Sequence, residues 1–297
     1  MWSKRLFLAV IAAVPVAVCS AQGQKADIVA PGAELKLAAD GFKFTEGPAA
    51  DKDGNVYFTD QPNDRIVKWS PDGKVETWLS PCGRSNGLYF DKNGMLLACA
   101  DEKNELWAID AKGGHKVLVK DYEGKLFNGP NDLWVAPWGG VFFTDPFYKR
   151  PYWNRGPMEQ KQCVYYMTPD YKTVTRIADD LTQPKGIIGT ADGKTLYIAD
   201  IGAKKTYVYD ISRDGTLSNK RLFCEMGSDG MTIDEEGNVY LTGKGVSVFN
   251  PAGEKIRQID VAKNWAANVT FGGKDRKTLF ITASDSVYTL QMRVAGK

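Results

Sequence analysis

Histidine is almost absent from this chain. The only one among 297 residues, His115, stands in a Gly-Gly-His-Lys segment away from the repeated polar motifs described below. A Ser-His-Asp hydrolase and a His-ligated zinc site each need histidine beside the reacting groups, so the sequence excludes both. The chain also lacks a Gly-rich phosphate-binding loop, which argues against nucleotide chemistry of that kind.

Long hydrophobic runs are lacking as well. The longest, Leu6–Val18, follows two basic residues and is too short to span a bilayer comfortably. These features predict a signal peptide at 1–21, cleaved after Ala21, and an exported protein that is periplasmic or secreted. A lipid on Cys19 is the less favoured alternative, because the residues before it match a lipoprotein signal poorly. We expect no integral membrane span.

Neither sign of charge is in excess. The 38 basic residues fall to 36 when the signal peptide takes Lys4 and Arg5 with it, and this equals the 36 acidic residues. Nucleic-acid binding needs a basic face, so we expect no nucleic-acid partner. The four cysteines after position 21 have spacings that fit no metal motif, and we expect Cys99, in a strand-like run, to be a core residue.

Strand-like segments, by contrast, are abundant, and six of them each begin five residues after a polar residue. They are rich in Val, Ile, Tyr, Phe and Thr, are separated by Asp-Gly and Asn-Gly turns, and no long segment has helical periodicity. The six polar residues are Glu46, Asn86, Asn131, Lys185, Asp229 and Asn268. A repeat with several strands in each unit is the pattern of a β-propeller.

We therefore predict an all-β, six-bladed β-propeller that forms a single domain over 33–297, after a flexible segment at 22–32. The sixth unit is one strand short, and the segment 33–39 ahead of the first unit can supply it. Closing the ring in this way joins the two ends of the domain and removes an exposed sheet edge.

The constant spacing places one polar side chain from each blade at the same height on the central axis. Carboxylates and carboxamides gathered there are the oxygen ligands that calcium prefers, and a divalent ion with open positions can polarise a carbonyl or phosphoryl oxygen. The alternative is a polar plug in which these groups satisfy one another. Asn86 is the least specific of the six, because Asn-Gly pairs are common in turns.

An insertion interrupts the third unit between positions 145 and 163. It contains Tyr148 and Trp153 together with several basic side chains. Aromatic faces and guanidinium groups suit sugar rings and carboxylates, so one interpretation is a wall over the axial cleft that binds substrate. The other interpretation is a surface loop with its own aromatic cluster.

Five short motifs, in order along the chain, are similar to those of the gluconolactonase and senescence-marker-protein family. They are TEGP (45–48), NGPNDL (128–133), PKGI (184–187), SDGM (228–231) and ANVTFGG (267–273). The resemblance implies a six-bladed propeller and a lactonase of sugar acids that depends on Ca²⁺ or another divalent metal ion.

The resemblance also implies roles for single residues. Glu46, Asn131 and Asp229 would hold the metal, Asp229 would act as general base, and Asn131 would also contact the substrate. Asp132 would orient the amide of Asn131. The residues expected to lie against the substrate are Asn86, Asn128, Asp132, Tyr148 and Trp153.

Lys185 departs from the family pattern, in which the fourth motif reads Asn-Gly and its Asn is a metal ligand. A protonated ammonium has no lone pair to give to a cation. Three outcomes are open. Lys185 turns away and water completes the metal shell, or it pairs with Glu46 or Asp229 and displaces the metal, or it is a fixed positive charge that binds a substrate oxygen.

The predicted reaction is hydrolysis of sugar-acid lactones. The ion polarises the ring ester carbonyl, Asp229 takes a proton from the attacking water, and Asn131 with Lys185 stabilises the oxyanion. The alternatives are hydrolysis of phosphotriesters or other activated esters on the same metal, and a non-catalytic ligand-binding propeller in which Lys185 replaces the metal. We expect a small-molecule substrate and a monomer or weak dimer.

Overall fold

Antiparallel sheets make up almost all of the structure. A computed structural model of the protein describes residues 2, 27–150 and 156–297. Apart from Trp2, the predicted signal peptide lies outside this range, as does the 22–26 part of the segment that was predicted to be flexible. Six sheets contain four strands each, and one further sheet has two.

The strands are numbered here in chain order, and the first, β1 (Lys36–Asp40), belongs to the sixth blade. Blade one contains β2 (Thr45–Ala50), β3 (Val56–Asp60), β4 (Arg65–Trp69) and β5 (Val75–Leu79). Blade two contains β6 (Ser85–Phe90), β7 (Leu96–Ala100), β8 (Glu105–Ile109) and β9 (His115–Val119). A two-stranded hairpin, which was not predicted, follows as β10 (Asp121–Tyr122) and β11 (Lys125–Leu126).

The remaining blades repeat the same order of strands. Blade three contains β12 (Leu133–Val135), β13 (Val141–Asp145), β14 (Cys163–Met167) and β15 (Val174–Ala178). Blade four contains β16 (Pro184–Gly189), β17 (Thr195–Asp200), β18 (Lys205–Ile211) and β19 (Leu217–Cys224). Blade five contains β20 (Met231–Ile233), β21 (Val239–Gly243), β22 (Gly245–Phe249) and β23 (Lys255–Ile259), and blade six contains β24 (Asn268–Gly272), β25 (Thr278–Ala283) and β26 (Ser286–Gln291).

The inner strands of the blades form a closed circle. Each of β2, β6, β12, β16, β20 and β24 contacts the inner strands of both neighbouring blades. The predicted six-bladed β-propeller is therefore confirmed, with one central axis. Aromatic side chains fill the space between blades, as where Phe58 of β3 meets Phe280 of β25 with their ring centroids 5.5 Å apart.

The sixth blade takes its outer strand from the start of the domain, as predicted. Strand β1 pairs antiparallel with β26, with Lys36 opposite Thr289 and Asp40 opposite Ser286. Because β26 would otherwise be an exposed edge, this pairing closes the propeller with backbone hydrogen bonds.

The described part of the segment that was predicted to be flexible packs against the C-terminal end of the chain. Ile28 and Val29 are buried, and Val29 pairs with Met292 just beyond β26. The backbone N–H of Arg293 donates to the carbonyl oxygen of Ile28 at 2.8 Å. Both side chains belong to the apolar core of the last two blades, so burial of apolar surface fixes this stretch.

The histidine and the cysteines of the described range lie away from the central axis or are buried in the core. His115 is exposed at the first position of β9 and stacks on Trp107, with ring centroids 3.7 Å apart. Cys99 is fully buried, as predicted. The four cysteines in the described range, at 82, 99, 163 and 224, are all free and buried.

Helix is confined to two 3₁₀ segments within the described part of the chain, Gln61–Asn63 and Asp101–Lys103. No helix there is long and apolar enough to cross a membrane.

Candidate active site

The six polar residues predicted to share one height are gathered at the central axis. Each lies within two residues of the start of an inner strand, where the chain enters the ring. All six are buried, with no more than 5% of any of them exposed: Glu46, Asn86, Asn131, Lys185, Asp229 and Asn268. The convergence deduced from the five-residue spacing is thus what the structure has.

Glycine follows four of these six residues, and it lets the inner strands come close together. At Gly47 the backbone has a φ of +45°, and a Cβ there would collide with the backbone carbonyl of Asn86. At Gly230 a Cβ would collide with the side-chain amide of Asn268. The close approach of neighbouring strands therefore depends on glycine at these positions.

Gly230→Ala is expected to lower the free energy of unfolding by about 1–3 kcal/mol, because its methyl group has no space beside Asn268. Urea unfolding of both proteins measures the difference. Gly156→Ala is the matched control, since no atom of the described residues, apart from its chain neighbours, lies within 4 Å of a Cβ there. Equal stabilities for the two variants would show that the ring tolerates a wider spacing of strands.

Lys185 lies between the two carboxylates of the ring. Its Nζ contacts Asp229 Oδ1 and lies 3.5 Å from Glu46 Oε1, and all three side chains are at most 6% exposed. Burial lowers the pKa of Lys185, while the Glu46 carboxylate acts in the opposite direction. The ion pairing expected in one of the three outcomes is therefore present, with both carboxylates as partners, while displacement of a metal by Lys185 stays a prediction.

Asp229 has a second partner that sequence reasoning missed. Trp265 Nε1 donates to Asp229 Oδ2 at 2.5 Å, and 37% of Trp265 is exposed. The indole can only donate, so it stabilises the ionised carboxylate and fixes its orientation. The available signal was a lone Trp three residues before Asn268, in the segment leading into β24.

Asn86 presents an unused amide. Both Asn86 Oδ1 and Nδ2 are buried and have no hydrogen-bond partner among residues 27–150 and 156–297. An unsatisfied buried amide is costly, so it points to a ligand that the site is shaped to receive. Asn131 is held through its backbone, since its N–H donates to Thr144 O at 2.9 Å and its carbonyl accepts from Gly87 N at 2.7 Å.

Asn128 and Asp132 are bonded to the protein itself. Asn128 Nδ2 donates to the backbone carbonyls of Asp145 and Lys161, which anchors the insertion to the third blade. Asp132 accepts from the N–H of Leu133 at 3.0 Å and of Ile187 at 3.4 Å. The carboxylate therefore bonds to the backbone of two inner strands, and its predicted role in orienting the Asn131 amide stays a prediction. Substrate contact by either residue stays a prediction.

Burial raises the pKa of Asp132 to about 8, and the nearby Glu46 carboxylate adds to the increase. A folded-state pKa above the unfolded value gives stability that is complete below about pH 4 and is lost as the pH rises toward 8. We expect Asp132→Asn, which cannot ionise, to gain stability relative to the natural protein over that interval. Urea unfolding of both proteins at pH 5 and at pH 8.5 tests this, and an equal difference at the two pH values would contradict it.

Tyr148 of the insertion lies beside Lys185 of the ring, and its contact with a substrate stays a prediction. The Lys185 Nζ lies 5.3 Å from the centroid of the Tyr148 ring, and the Arg150 guanidinium lies 4.7 Å from the same centroid. Burial raises the pKa of Tyr148 to about 12, so the phenol is neutral at physiological pH. Trp153, the other predicted aromatic contact, lies outside the described residues.

The arrangement does not fit a divalent cation held by Glu46, Asn131 and Asp229. The Lys185 ammonium contacts one of the two carboxylates and lies 3.5 Å from the other. An ammonium cannot ligate a metal, and its charge repels one. Residues 27–150 and 156–297 also contain no cluster of three or more His, Cys, Asp or Glu suited to a metal ion.

Comparison with known proteins places this chain among related propellers. The family described as "SMP-30/Gluconolactonase/LRE-like region" matches residues 44–285. A gluconolactonase from Zymomonas mobilis is 28% identical over 294 residues, which cover 88% of this chain and 82% of that protein.

Solved structures agree with the observed fold. A gluconolactonase from Xanthomonas campestris superposes with a TM-score of 0.84 at 30% identity, covering 89% of this chain and 91% of that one. Regucalcin from Agrobacterium tumefaciens, described as a calcium-binding protein, superposes with a TM-score of 0.76 at 18% identity, over 89% of this chain and 96% of its own. The second likeness shows the shared fold alone.

Proposed function

Because the chain belongs to the SMP-30/gluconolactonase/LRE-like family, we propose that it is an enzyme that hydrolyses lactones, with sugar-acid lactones as the substrate class. The observation that carries the proposal is the buried Asp229 carboxylate, held by Trp265 and placed beside a cationic group, Lys185. A base and a positive charge side by side are the two functions that ester hydrolysis by water requires.

The reaction begins with water attacking the lactone carbonyl carbon while Asp229 accepts a proton from that water. The carbonyl oxygen becomes an oxyanion, and the Lys185 ammonium stabilises its charge. The Asn86 amide, buried without a protein partner in the described range, donates to or accepts from a substrate oxygen. The ring oxygen then leaves with the proton returned from Asp229, which opens the lactone to a hydroxy acid.

The roles of Asn131 and Tyr148 follow from their positions. Asn131 is fixed by backbone bonds to its neighbours and so presents its amide at a constant height. Tyr148 offers a neutral aromatic face 5.3 Å from the Lys185 ammonium, against which a sugar ring can pack. A calcium site formed by Glu46, Asn131 and Asp229 stays a prediction from the family resemblance, and the position of Lys185 disfavours it.

We also propose that the protein is exported, on the strength of the basic residues and the short apolar run within 1–21. Its substrate would then be a lactone present outside the cytoplasm. Detection of the chain in a periplasmic or culture-medium fraction, beginning at residue 22, is the expected result. A chain retained in the cytoplasm with Met1 intact would contradict it.

The function is tested by following acid release in a pH-stat from a panel of aldonolactones, with the spontaneous hydrolysis rate subtracted. A phosphotriester and an aryl ester, offered separately, represent the competing hydrolase activities. Hydrolysis of a lactone above background supports the proposal. Hydrolysis of the phosphotriester alone would identify the protein as a phosphotriester hydrolase instead. If no compound is hydrolysed, with or without added divalent ions, the protein is better described as a non-catalytic propeller that binds a ligand.

A further inference from the structure

We propose that the Lys185 ammonium takes the place of the divalent ion in this propeller, so that the site works without a metal. The inference rests on the proposed function for its catalytic part, but not for the part that concerns cation binding. It arises from two ion pairs, in which the Lys185 ammonium is shared by the carboxylates of Glu46 and Asp229.

The position of the ammonium is the first argument. Lys185 is the second residue of β16, and its Nζ is brought to the level of Glu46 and Asp229, which enter the ring from other blades. These are the two carboxylates that a cation on the axis would use. An ion bound there would have to displace the ammonium or lie against it, and like charges at such short range repel strongly in a buried site.

The second argument is that Lys185 has no easy way to leave. The Tyr148 ring centroid lies 5.3 Å from its Nζ and blocks movement in that direction, while the hydrogen bond from Thr144 Oγ1 to the Lys185 carbonyl oxygen, 2.7 Å long, fixes only the backbone from which the side chain extends. The Arg150 guanidinium lies 4.7 Å from the centroid of the same ring and is close enough to Lys185 to act on it as a like charge, so an ammonium that moves toward this side meets electrostatic repulsion. Its departure would also leave two buried carboxylates without a counter-charge, which is costly.

An ammonium can stabilise negative charge as a metal ion does, but it cannot activate water as a metal ion does. It donates hydrogen bonds to a developing oxyanion and neutralises its charge, as a Lewis acid would. It cannot coordinate water and acidify it in the way a metal ion does. The proton must therefore be removed by a side chain, and Asp229, oriented by Trp265, is the group in contact with the ammonium.

The test compares the natural protein with Lys185→Asn, which restores a neutral oxygen donor to the ring, and with Lys194→Asn, an exposed control whose side chain is 81% accessible. Isothermal titration with CaCl₂ and MnCl₂ and the melting temperature with and without each salt measure binding directly. For the natural protein we expect no binding at 1 mM ion, no shift in melting temperature, and lactone hydrolysis unchanged after chelation and dialysis.

For Lys185→Asn we expect saturable binding of one ion, a higher melting temperature in its presence, and a rate at least 100-fold lower than natural without the ion. Lys194→Asn should match the natural protein in every measurement. The measurements on the natural protein do not depend on the variant, so a Lys185→Asn that fails to fold leaves them decisive.

Two results would overturn the inference. One is submillimolar binding of Ca²⁺ or Mn²⁺ to the natural protein that Glu46→Gln abolishes. The other is lactone hydrolysis by the natural protein that chelation abolishes and the ion restores, in which case the proposed lactonase activity stands and only the metal-free site falls. A natural protein that binds no ion and hydrolyses no lactone would instead support the occupancy by Lys185 and remove the proposed function.

Discussion

Asp229→Asn is expected to lower kcat for lactone hydrolysis by about 10²–10⁴-fold, the usual contribution of a positioned general base. Asn has nearly the same shape but no basic oxygen, so water is left without a group to take its proton. Because no metal-bound hydroxide is available at a site filled by Lys185, the loss should approach the upper end of that range. Initial rates of acid release at saturating substrate measure it.

The control for this change is Asp192→Asn, which makes the same chemical alteration in an exposed turn of blade four, where 58% of the side chain is accessible. We expect its kcat to equal that of the natural protein. Circular dichroism and melting temperature verify that Asp229→Asn is folded. An Asp229→Asn enzyme that keeps more than a tenth of the natural kcat would assign the base to another residue.

Removal of the closing strand is expected to have the largest effect on stability. A chain that begins at Gly41 loses β1 and the buried Ile28 and Val29. Burying one such side chain contributes about 1.5–3 kcal/mol, so two of them are a large part of the roughly 5–15 kcal/mol that stabilises a typical domain. We expect a melting temperature lower by about 10 °C or more, or failure to fold, as measured by calorimetry.

A chain that begins at Asp27 is the matched control, because it lacks only residues that come before the described part of the domain. Its melting temperature should equal that of the natural protein. Addition of a synthetic peptide of residues 27–40 to the shorter chain should restore part of the lost stability through pairing with β26. Equal melting temperatures for the two truncated chains would show that β1 adds nothing to the closure of the propeller.

Much of the fold could be predicted because its evidence is local and repeated. The spacing between each polar residue and its strand set the number of blades, and the missing strand of the last unit pointed to β1. The residues ahead of β1 could not be predicted in this way. Ile28 and Val29 belong to no repeat, and only their contact with the C-terminal segment near Met292 reveals that they are core residues.

The sequence could predict which residues lie at the site, but not which side chains form ion pairs and hydrogen bonds with one another. Sequence spacing could bring Glu46, Lys185 and Asp229 to one level, yet it could not decide among three positions for a long flexible amine. Trp265 was missed because it belongs to a connecting segment without a repeat, so its reach to Asp229 depends on tertiary packing. The acceptor role of Asp132 toward two backbone N–H groups was hidden for the same reason.

The pairing of β1 with β26 also has a consequence for the order in which the protein assembles. The ribosome synthesises β1 before all the other strands and β26 after them. Strand β1 therefore has no partner until β26 has been made. The sixth blade, and with it the closed ring, can therefore form only after β26 has been made, whereas the strands of the first five blades can pair with their neighbours earlier.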